Sequence, residues 1–461
     1  MAPPDAARAI EAVWRLESAR IIGALTRLVR DVGLAQELAQ DALVSAVEEW
    51  PVTGVPPNPG GWLMLTARHR AIDRLRRDDR LRANVAMLGR EAEERQRVDV
   101  FAEVDDEQVI QDDVLRLVFI ACHPVLPTTS RVALTLRLLG GLSTDEIARA
   151  FLVPEPTVAQ RIVRAKRTLA DKRVPFEVPE GEDMMGRLAS VLEVVYLIFN
   201  EGHSATAGDE WVRPELCHEA LRLGRMLAEL APAEPEVHGL VALMEIQASR
   251  LRARVDADGR PVPLLEQNRG RWDQLLIRRG YAALLRAREL GRPPGPYVLQ
   301  AAIAACHARA RTPEETDWPA IVALYEALSH VAPTPVVALN HAVAVAMASG
   351  PEEGLRMVDD LAGQPSLAGY HLLPAVRGDL LAQLGRDVEA RDEFRRAAEL
   401  TANARERAVL AERASAGHDA SGHDASGHDA DGHDADGQGV AGGSAGGGTV
   451  ARTPGGGPPR W

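Results

Sequence analysis

Residues 142–167 read LSTDEIARAFLVPEPTVAQRIVRAKR, and this stretch decides the local fold. Ser143 and Glu146 have the spacing of a capping box, in which each side chain bonds the backbone N–H of the other residue at the start of a helix. Pro156 suits the first turn of a second helix, because a backbone N–H there has no partner within the helix. The stretch therefore predicts a helix-turn-helix.

The second helix of this motif has two distinct faces. Apolar residues at i, i+4, i+7 and i+11 predict its buried face: Val158, Ile162, Ala165 and Leu169. The N-terminal half of such a helix enters the major groove, where arginine can bond guanine and glutamine can bond adenine. A helical hairpin that does not bind DNA is the alternative. The residues predicted to face outward and contact DNA bases are Thr157, Gln160, Arg161 and Arg164.

A second stretch, GWLMLTARHRAIDRLRR at residues 61–77, predicts a helix with a row of arginines. Arg70, Arg74 and Arg77 stand at i, i+4 and i+7, opposite an apolar face. Guanidinium groups form paired, charge-assisted hydrogen bonds with phosphates. The alternative is an ordinary solvated surface. A loop rich in proline and glycine, residues 51–60, precedes this helix and contains Asn58.

Residues 34–50 predict a helix with a polar face. Its buried stripe is Leu34, Leu38, Ala42 and Ala46, with Val47 on the flank. The opposite face is predicted to expose four polar residues, which could form a solvated surface or a docking site. These residues are Gln36, Glu37, Gln40 and Asp41.

These motifs together resemble the bacterial extracytoplasmic-function sigma factors, group IV of the sigma-70 family. The resemblance covers about residues 5–413. It implies that residues 5–77 form sigma region 2, that 78–106 form a linker, and that 107–173 form the region 4 helix-turn-helix. Gln36 and His69 stand where the family usually has an acid and an asparagine.

The resemblance also implies roles for the candidate residues. Region 2 would bind core RNA polymerase through Glu37, Gln40 and Asp41. It would read the −10 promoter element through the arginine helix and the preceding loop, with Arg70, Arg74, Arg77 and Asn58. Region 4 would read the −35 element through Thr157, Gln160, Arg161 and Arg164.

Residues 183–413 are predicted to form a helical extension with tetratricopeptide-like repeats. Five small or aromatic residues have the offsets 0, 7, 12, 16 and 19 of such a unit: Gly378, Gly385, Ala390, Phe394 and Ala397. Generic helical hairpins are the alternative. The resemblance is to the sigma branch that carries this extension, in which an Asp-Gly motif is needed for activity. The candidate regulatory residues here are Asp258, Gly259 and Arg260. Residues 414–461 are predicted to be a disordered tail, in which the pentad Gly-His-Asp-Ala-Ser or a close variant repeats about four times from Ala416 and is followed by Gly-rich sequence.

Composition narrows the function further. The chain has 461 residues and a formal net charge of −13, so DNA binding requires a local basic surface. Cys122, Cys217 and Cys306 are isolated in sequence, which predicts neither a disulfide framework nor a zinc site. The sequence has no P-loop, nucleophile elbow or dinucleotide fingerprint, so no enzymatic activity, cofactor or metal is expected.

The sequence therefore predicts an all-α, cytoplasmic sigma factor whose partners are core RNA polymerase and promoter DNA. The C-terminal extension is expected to regulate it in cis, with no separate anti-sigma protein and no membrane partner. The alternative function is a stand-alone helix-turn-helix regulator whose repeat domain binds a peptide or ligand.

Overall fold

The fold is all-α, as the sequence predicts. The computed structural model describes residues 4–86, 107–151, 153–206 and 208–415. In these ranges β-type pairing is limited to two isolated bridges, Gly208 with Asn403 and Val255 with Pro261. The α-helices in the described residues are α1 (Pro4–Val29), α2 (Val32–Thr53), α3 (Pro59–Ala86), α4 (Glu107–Ala121), α5 (Thr128–Leu138), α6 (Thr144–Phe151), α7 (Glu155–Asp171), α8 (Gly181–His203), α9 (Pro214–Leu230), α10 (Pro235–Ala248), α11 (Gln274–Glu289), α12 (Pro296–Arg309), α13 (Trp318–Val331), α14 (Pro335–Ser349), α15 (Pro351–Leu361), α16 (Leu372–Gln383), α17 (Asp387–Leu400) and α18 (Ala404–Ser415).

The chain divides into two compact units. The first contains residues 1–205, 212–251 and 273–301, and therefore both predicted sigma regions and part of the extension. The second contains residues 206–211, 252–272 and 302–461. The predicted disordered tail, residues 414–461, starts too early, because residues 414 and 415 are the last turn of α18. Residues 416–461 lie outside the described part of the chain.

Helices α1 to α3 pack together around an apolar core. Asp31 begins α2, and its carboxylate accepts a hydrogen bond of 2.7 Å from the backbone N–H of Leu34. The predicted loop at 51–60 is shorter than expected, because α2 continues to Thr53 with Pro51 in its last turn. Helix α3 runs past the predicted end of region 2, so residues 78–86 of the predicted linker are helical. Residues 87–106 of that linker lie outside the described ranges. The largest fully buried side chains of this bundle are Ile21, Ile22, Leu25, Trp50 and Leu63.

Helix α4 packs on α1 through a buried carboxylate. Asp113 is 1% exposed and accepts hydrogen bonds of 2.9 Å from both Arg27 and Arg116. Gly23 permits the close approach, since a Cβ at this position would lie 3.0 Å from the Asp113 carbonyl oxygen. Burial raises the pKa of Asp113, and the two guanidinium groups act in the opposite direction.

Helices α5 to α7 form the predicted helix-turn-helix. The capping box is confirmed: the Ser143 N–H donates to Glu146 Oε2 at 2.7 Å, and the Glu146 N–H donates to Ser143 Oγ at 3.1 Å. The predicted buried face of α7 is also confirmed, because Val158, Ile162, Ala165 and Leu169 are all buried. The cap and this apolar face together fix the orientation of α7.

The second unit contains antiparallel helical hairpins. In the α16–α17 hairpin, a Cβ at Gly378 would lie 2.8 Å from the Phe394 ring, so the two helices approach closely at this glycine. Gly385 has a φ of +72° in the turn between them, a conformation that favours glycine. Ala390 and Ala397 are buried against the same core. The offsets therefore identified a real hairpin, and its assignment as a tetratricopeptide unit stays a prediction.

Candidate nucleic-acid interface

The outward face of α7 carries the four predicted base-contacting residues. Gln160 and Arg164 are exposed, whereas Thr157 and Arg161 are half-buried. Val163 is 64% exposed beside Arg164, although its side chain is apolar. Sequence reasoning missed Val163, and its position outside the buried stripe was the signal that could have identified it. The face therefore offers hydrogen-bond donors together with an apolar group that could contact a thymine methyl.

The arginines of α3 fall into two groups. Arg74 and Arg77 are exposed, and Arg74 forms a helical ion pair of 3.3 Å with Asp78. Arg70 instead contacts α2, where its Nη2 donates to Ser45 Oγ at 2.5 Å and its Nη1 lies 3.8 Å from Asp41 Oδ2. Arg74 and Arg77 are therefore exposed, as the row predicted, whereas Arg70 is half-buried, its side chain 42% exposed, and is held against α2.

Asn58 immediately precedes α3 and is exposed. Its Oδ1 accepts a hydrogen bond of 2.9 Å from the Gly61 N–H, and its carbonyl accepts one of 3.0 Å from the Trp62 N–H. Trp62 in turn packs edge-on against Trp50 of α2, with the ring centroids 5.5 Å apart. The loop before α3 is therefore attached at this end by a cap and an aromatic contact.

Helix α2 differs from the prediction at two positions, one on its polar face and one beside its buried stripe. Glu37 and Asp41 are exposed and Gln40 is half-buried, as a docking face requires. Gln36 is wrongly predicted as exposed: it is 4% exposed, since it follows Val32 by one turn on the buried side of a helix that packs on α1, α3 and α7. Val47 is wrongly predicted as buried, and is 51% exposed, because the contact at this end of α2 is made by Trp50.

The exposed part of this α2 face is therefore mixed in character. Val44, at 54% exposed, joins Val47 beside Asp41. Protein interfaces commonly combine an apolar centre with a charged rim. Sequence reasoning missed Val44, whose position between the polar residues and outside the buried stripe was the available signal.

The two sigma regions contact each other within the first unit. Glu146 Oε1 of the capping box accepts a hydrogen bond of 2.9 Å from Arg15 of α1. On α7, Lys166 approaches the start of α2, where its Cδ would lie 3.6 Å from a Cβ at Gly33. Burial lowers the pKa of Lys166, while the carboxylate of Glu37 raises it.

Three arginines join the helix-turn-helix to the following helices. Arg131 of α5 is buried and donates to Ser190 at 2.5 Å and to Glu193 at 3.1 Å, both on α8. Arg213, just before α9, donates to the Ala150 carbonyl at 2.5 Å. Arg222 of α9 donates to the Leu139 carbonyl. The first part of the extension is thus bonded to region 4 by buried and half-buried arginines.

The predicted regulatory residues lie in a tight turn of the second unit. Asp256 Oδ1 accepts from the N–H groups of Asp258 and Arg260 at 2.9 and 2.8 Å, and Gly259 has a φ of +74°. Arg260 forms an ion pair with Glu412, and Arg405 donates to the Asp258 carbonyl at 3.3 Å. Helix α18 therefore holds the turn through these two side chains.

Comparison with known proteins identifies the family. The Sigma-70 region 2 family matches residues 14–81, and the Sigma-70, region 4 family matches residues 116–169. The chain belongs to the extracytoplasmic-function sigma factors. Region 2 decides this assignment, because a stand-alone helix-turn-helix regulator does not require it. A third match, to a family of unknown function (DUF6596), covers residues 187–288 and hence much of α8 to α11.

One similar protein matches most of this chain, and sigma factors of other bacteria match a part of it. The uncharacterized protein R00370 of Rhizobium meliloti is 46% identical over 391 residues, covering 84% of this chain and 91% of the relative. The ECF RNA polymerase sigma factor SigK of Mycobacterium ulcerans is 27% identical over 157 residues, covering 32% and 78%. The ECF RNA polymerase sigma-E factor of Haemophilus influenzae is 32% identical over 117 residues, covering 25% and 61%. No solved structure matches the chain.

The family establishes the general activity. The sigma factor binds core RNA polymerase and promoter DNA in transcription initiation, and it is not an enzyme. Within the described ranges, no helix is both long and apolar enough to cross a bilayer. In the same ranges, no group of three His, Cys, Asp or Glu side chains is placed to hold a metal ion.

Proposed function

We propose that this sigma factor directs core polymerase to a restricted promoter set by reading the −35 element with α7. The exposed face of that helix, set by a capping box and four buried apolar residues, carries the proposal. Gln160, Arg161 and Arg164 would bond base edges, and Thr157 would contact the first positions of the element. In region 2, Arg74 and Arg77 would bind phosphates near the −10 element.

Arg70 and Asn58 have positioning roles in this proposal. Arg70 links α3 to Asp41 and Ser45 of α2, so it would orient the −10 helix relative to the polymerase-binding helix. Asn58 caps α3 and would hold the preceding loop in the shape that accepts an extruded base.

The polymerase would dock on the exposed face of α2. Glu37, Gln40 and Asp41 supply its polar rim, and Val44 and Val47 supply exposed apolar area at its centre. The occupant proposed for this face is a basic helical surface of core polymerase, because both charged residues of the face are acidic.

The extension would regulate the sigma factor in cis by holding its two reading regions together. The −10 and −35 elements are about 25 base pairs apart, which is roughly 85 Å of duplex. A compact unit of fewer than 300 residues has a radius of gyration of only roughly 19 Å. Regions 2 and 4 must therefore separate before both elements can be read at once, and the Arg15–Glu146 contact must break.

The regulatory contacts are those of α8 and α9 with region 4. Because the extension is tethered to region 4, its effective concentration is high and modest contacts suffice to bias the packed arrangement. A separate anti-sigma protein is then not required. The turn of Asp258, Gly259 and Arg260, held by α18, is the proposed element through which the second unit affects activity.

Run-off transcription with core polymerase and a pool of genomic promoter fragments tests the promoter-reading proposal. Arg164→Ala should lose roughly 1–3 kcal/mol of discrimination at one base pair of the upstream element and keep the others. Arg356→Ala replaces an exposed arginine of α15 and is the matched control, which should leave selectivity unchanged. An Arg164→Ala protein with the promoter preferences of the unaltered chain would contradict the proposed register.

A further inference from the structure

A cavity of about 550 Å³ opens between the end of α1, the end of α7 and the segment that follows α7. Its volume lies within the range of small-molecule sites in proteins. Arg30 follows α1, whereas Lys166 lies on α7 and Arg173 just after it, so the cavity collects positive charge from two segments distant in sequence. None of the promoter or polymerase contacts proposed above uses these three side chains.

The three cations have no hydrogen bond or ion pair through their side chains to another described residue. Arg27, which also lines the cavity, differs because it pairs with the buried Asp113 at 2.9 Å. The carboxylate in the lining belongs to Asp31, and its Oδ1 is already bonded to the Leu34 N–H. The cavity therefore holds an excess of positive charge.

The backbone at two of these cations is unusual. Arg30 has a φ of +57° and Arg173 a φ of +48°, and they are the two non-glycine residues with positive φ in the described chain. Each follows the end of a helix, a position at which glycine is strongly preferred. Two arginines thus occupy left-handed positions, and both line the same cavity. Strained backbone of this kind concentrates at ligand-binding sites.

The rest of the lining is largely apolar. Ile120, Leu169 and Phe176 are among these apolar lining residues. Leu169 and Ile120 are each 4% exposed, so their side chains belong to the core of region 4. A ligand that suits both the cations and the apolar lining needs a multiply charged anionic part and a flat apolar part.

We propose that this cavity binds a nucleoside phosphate, with its phosphates on Arg30, Lys166 and Arg173 and its base against Phe176 and Leu169. Arginine suits phosphate because its planar group donates two parallel hydrogen bonds. Burial lowers the pKa of Lys166, and an adjacent phosphate would offset that cost of desolvation. The bound ligand would join region 2 to region 4, and would therefore favour the packed arrangement of the two regions over the separated one.

Isothermal titration calorimetry of the full chain with ADP and with GDP tests this site. We expect saturable binding to one site for at least one of the two, and weaker binding of pyrophosphate, which lacks the base. Arg30→Gly and Arg173→Gly should each weaken that binding by about tenfold or more, as loss of a charge-assisted bond predicts. Because glycine prefers positive φ, both variants should melt at or above the temperature of the unaltered protein.

The melting result separates loss of the site from loss of the fold. Arg167→Gln is the matched control, since Arg167 neighbours Lys166 on α7, is 81% exposed and is absent from the lining. It should leave nucleotide affinity unchanged. Failure of ADP and GDP to bind, affinity unaffected by both glycine variants, or pyrophosphate binding as tight as that of the nucleotides would overturn the proposal. Nonspecific duplex DNA that binds more weakly to the same variants, without nucleotide binding, would instead assign these cations to DNA phosphates and also overturn it.

Discussion

At the scale of single residues, Asp41 lies where the two proposed interfaces meet. Its side chain is 59% exposed, so a partner protein can reach it, and its carboxylate lies 3.8 Å from Arg70 of α3. Arg70 also bonds the buried Ser45, and the pair therefore links α2, the proposed polymerase-binding helix, to α3, the proposed −10 helix. An exposed pair of this kind contributes at most about 1 kcal/mol to stability.

Charge reversal separates docking from folding at this residue. Asp41→Arg should reduce copurification with core polymerase about tenfold or more, because it places a cation where a basic surface would dock. The melting temperature should change little, since the position is exposed. Asp392→Arg is the matched control, because Asp392 is 65% exposed and also pairs with an arginine, Arg395. Polymerase binding by Asp41→Arg equal to that of the control would refute the docking assignment.

His123 should make stability depend on pH at the junction of region 4 and α8. Burial and then the charge of Arg187 lower its pKa from 6.5 to about 4. The folded state therefore binds fewer protons than the unfolded state in this window, and the contribution of His123 to stability is lost as the pH falls from 6.5 towards 4. His123→Gln should flatten this part of the curve.

The measurement is the melting temperature of both proteins at intervals between pH 7 and pH 4. Carboxylates titrate in the same pH window and affect both proteins alike. The contribution of His123 is therefore the difference between the two curves of melting temperature against pH. Parallel curves would show that His123 titrates alike in the folded and unfolded states.

At the scale of elements, close helix pairing depends on small residues. A Cβ at Gly378 would lie 2.8 Å from the Phe394 ring, and Phe394 is 3% exposed. Gly378→Ala should therefore destabilise the α16–α17 hairpin by about 1–3 kcal/mol, the usual cost of overpacking. Gly186→Ala is the control, because this glycine lies exposed within α8 with open space around it.

The control should change stability in the opposite direction. Alanine within an exposed helix is favoured over glycine by roughly 0.5–1 kcal/mol. Urea unfolding of the two variants, measured by circular dichroism, gives both values. Equal stability of the Gly378→Ala and unaltered proteins would mean that the two helices can separate at this point without cost.

Local patterns in the sequence predicted individual elements well. Ser143 and Glu146 identified the capping box because its two hydrogen bonds join residues three apart. The spacing of Val158 and Leu169 identified the buried face of α7, because every buried residue of this helix belongs to one apolar stripe at helical spacing.

Contacts between distant segments were not predictable in this way. Gln36 is buried because α2 packs on α1, α3 and α7, and these neighbours cover a polar side chain that lies outside the apolar stripe. The bonds of Arg131 to Ser190 and Glu193 join positions about 60 residues apart, and an arginine in the sequence does not show which carboxylate it meets. Likewise, the placement of Arg30 and Arg173 on one cavity appears only once α1 and α7 are packed together.

For the whole molecule, the proposed regulation in cis depends on how the extension holds region 4. Arg131 and Glu193 form a buried pair, with side chains 10% and 15% exposed. Removing one member of a buried pair typically destabilises a protein by about 3–5 kcal/mol, because the other charge remains unpaired. Contacts of this strength are sufficient to hold the extension on region 4, and they bias the reading regions only as far as they differ between the packed and the separated arrangement.

Truncation tests whether the extension takes part in promoter activation. A chain ending near residue 182 loses Ser190, Glu193, Arg213 and Arg222, and therefore all three arginine links between region 4 and the extension. We expect promoter activation by this chain to be abolished or strongly altered in a reporter assay, with protein levels checked by blot. A chain ending at Ser415 keeps every helix described here and is the matched control, so it should retain activity close to that of the full chain. Unchanged activation by the chain ending near residue 182, at equal protein level, would show that the extension does not regulate initiation, and regulation in cis would have to be abandoned.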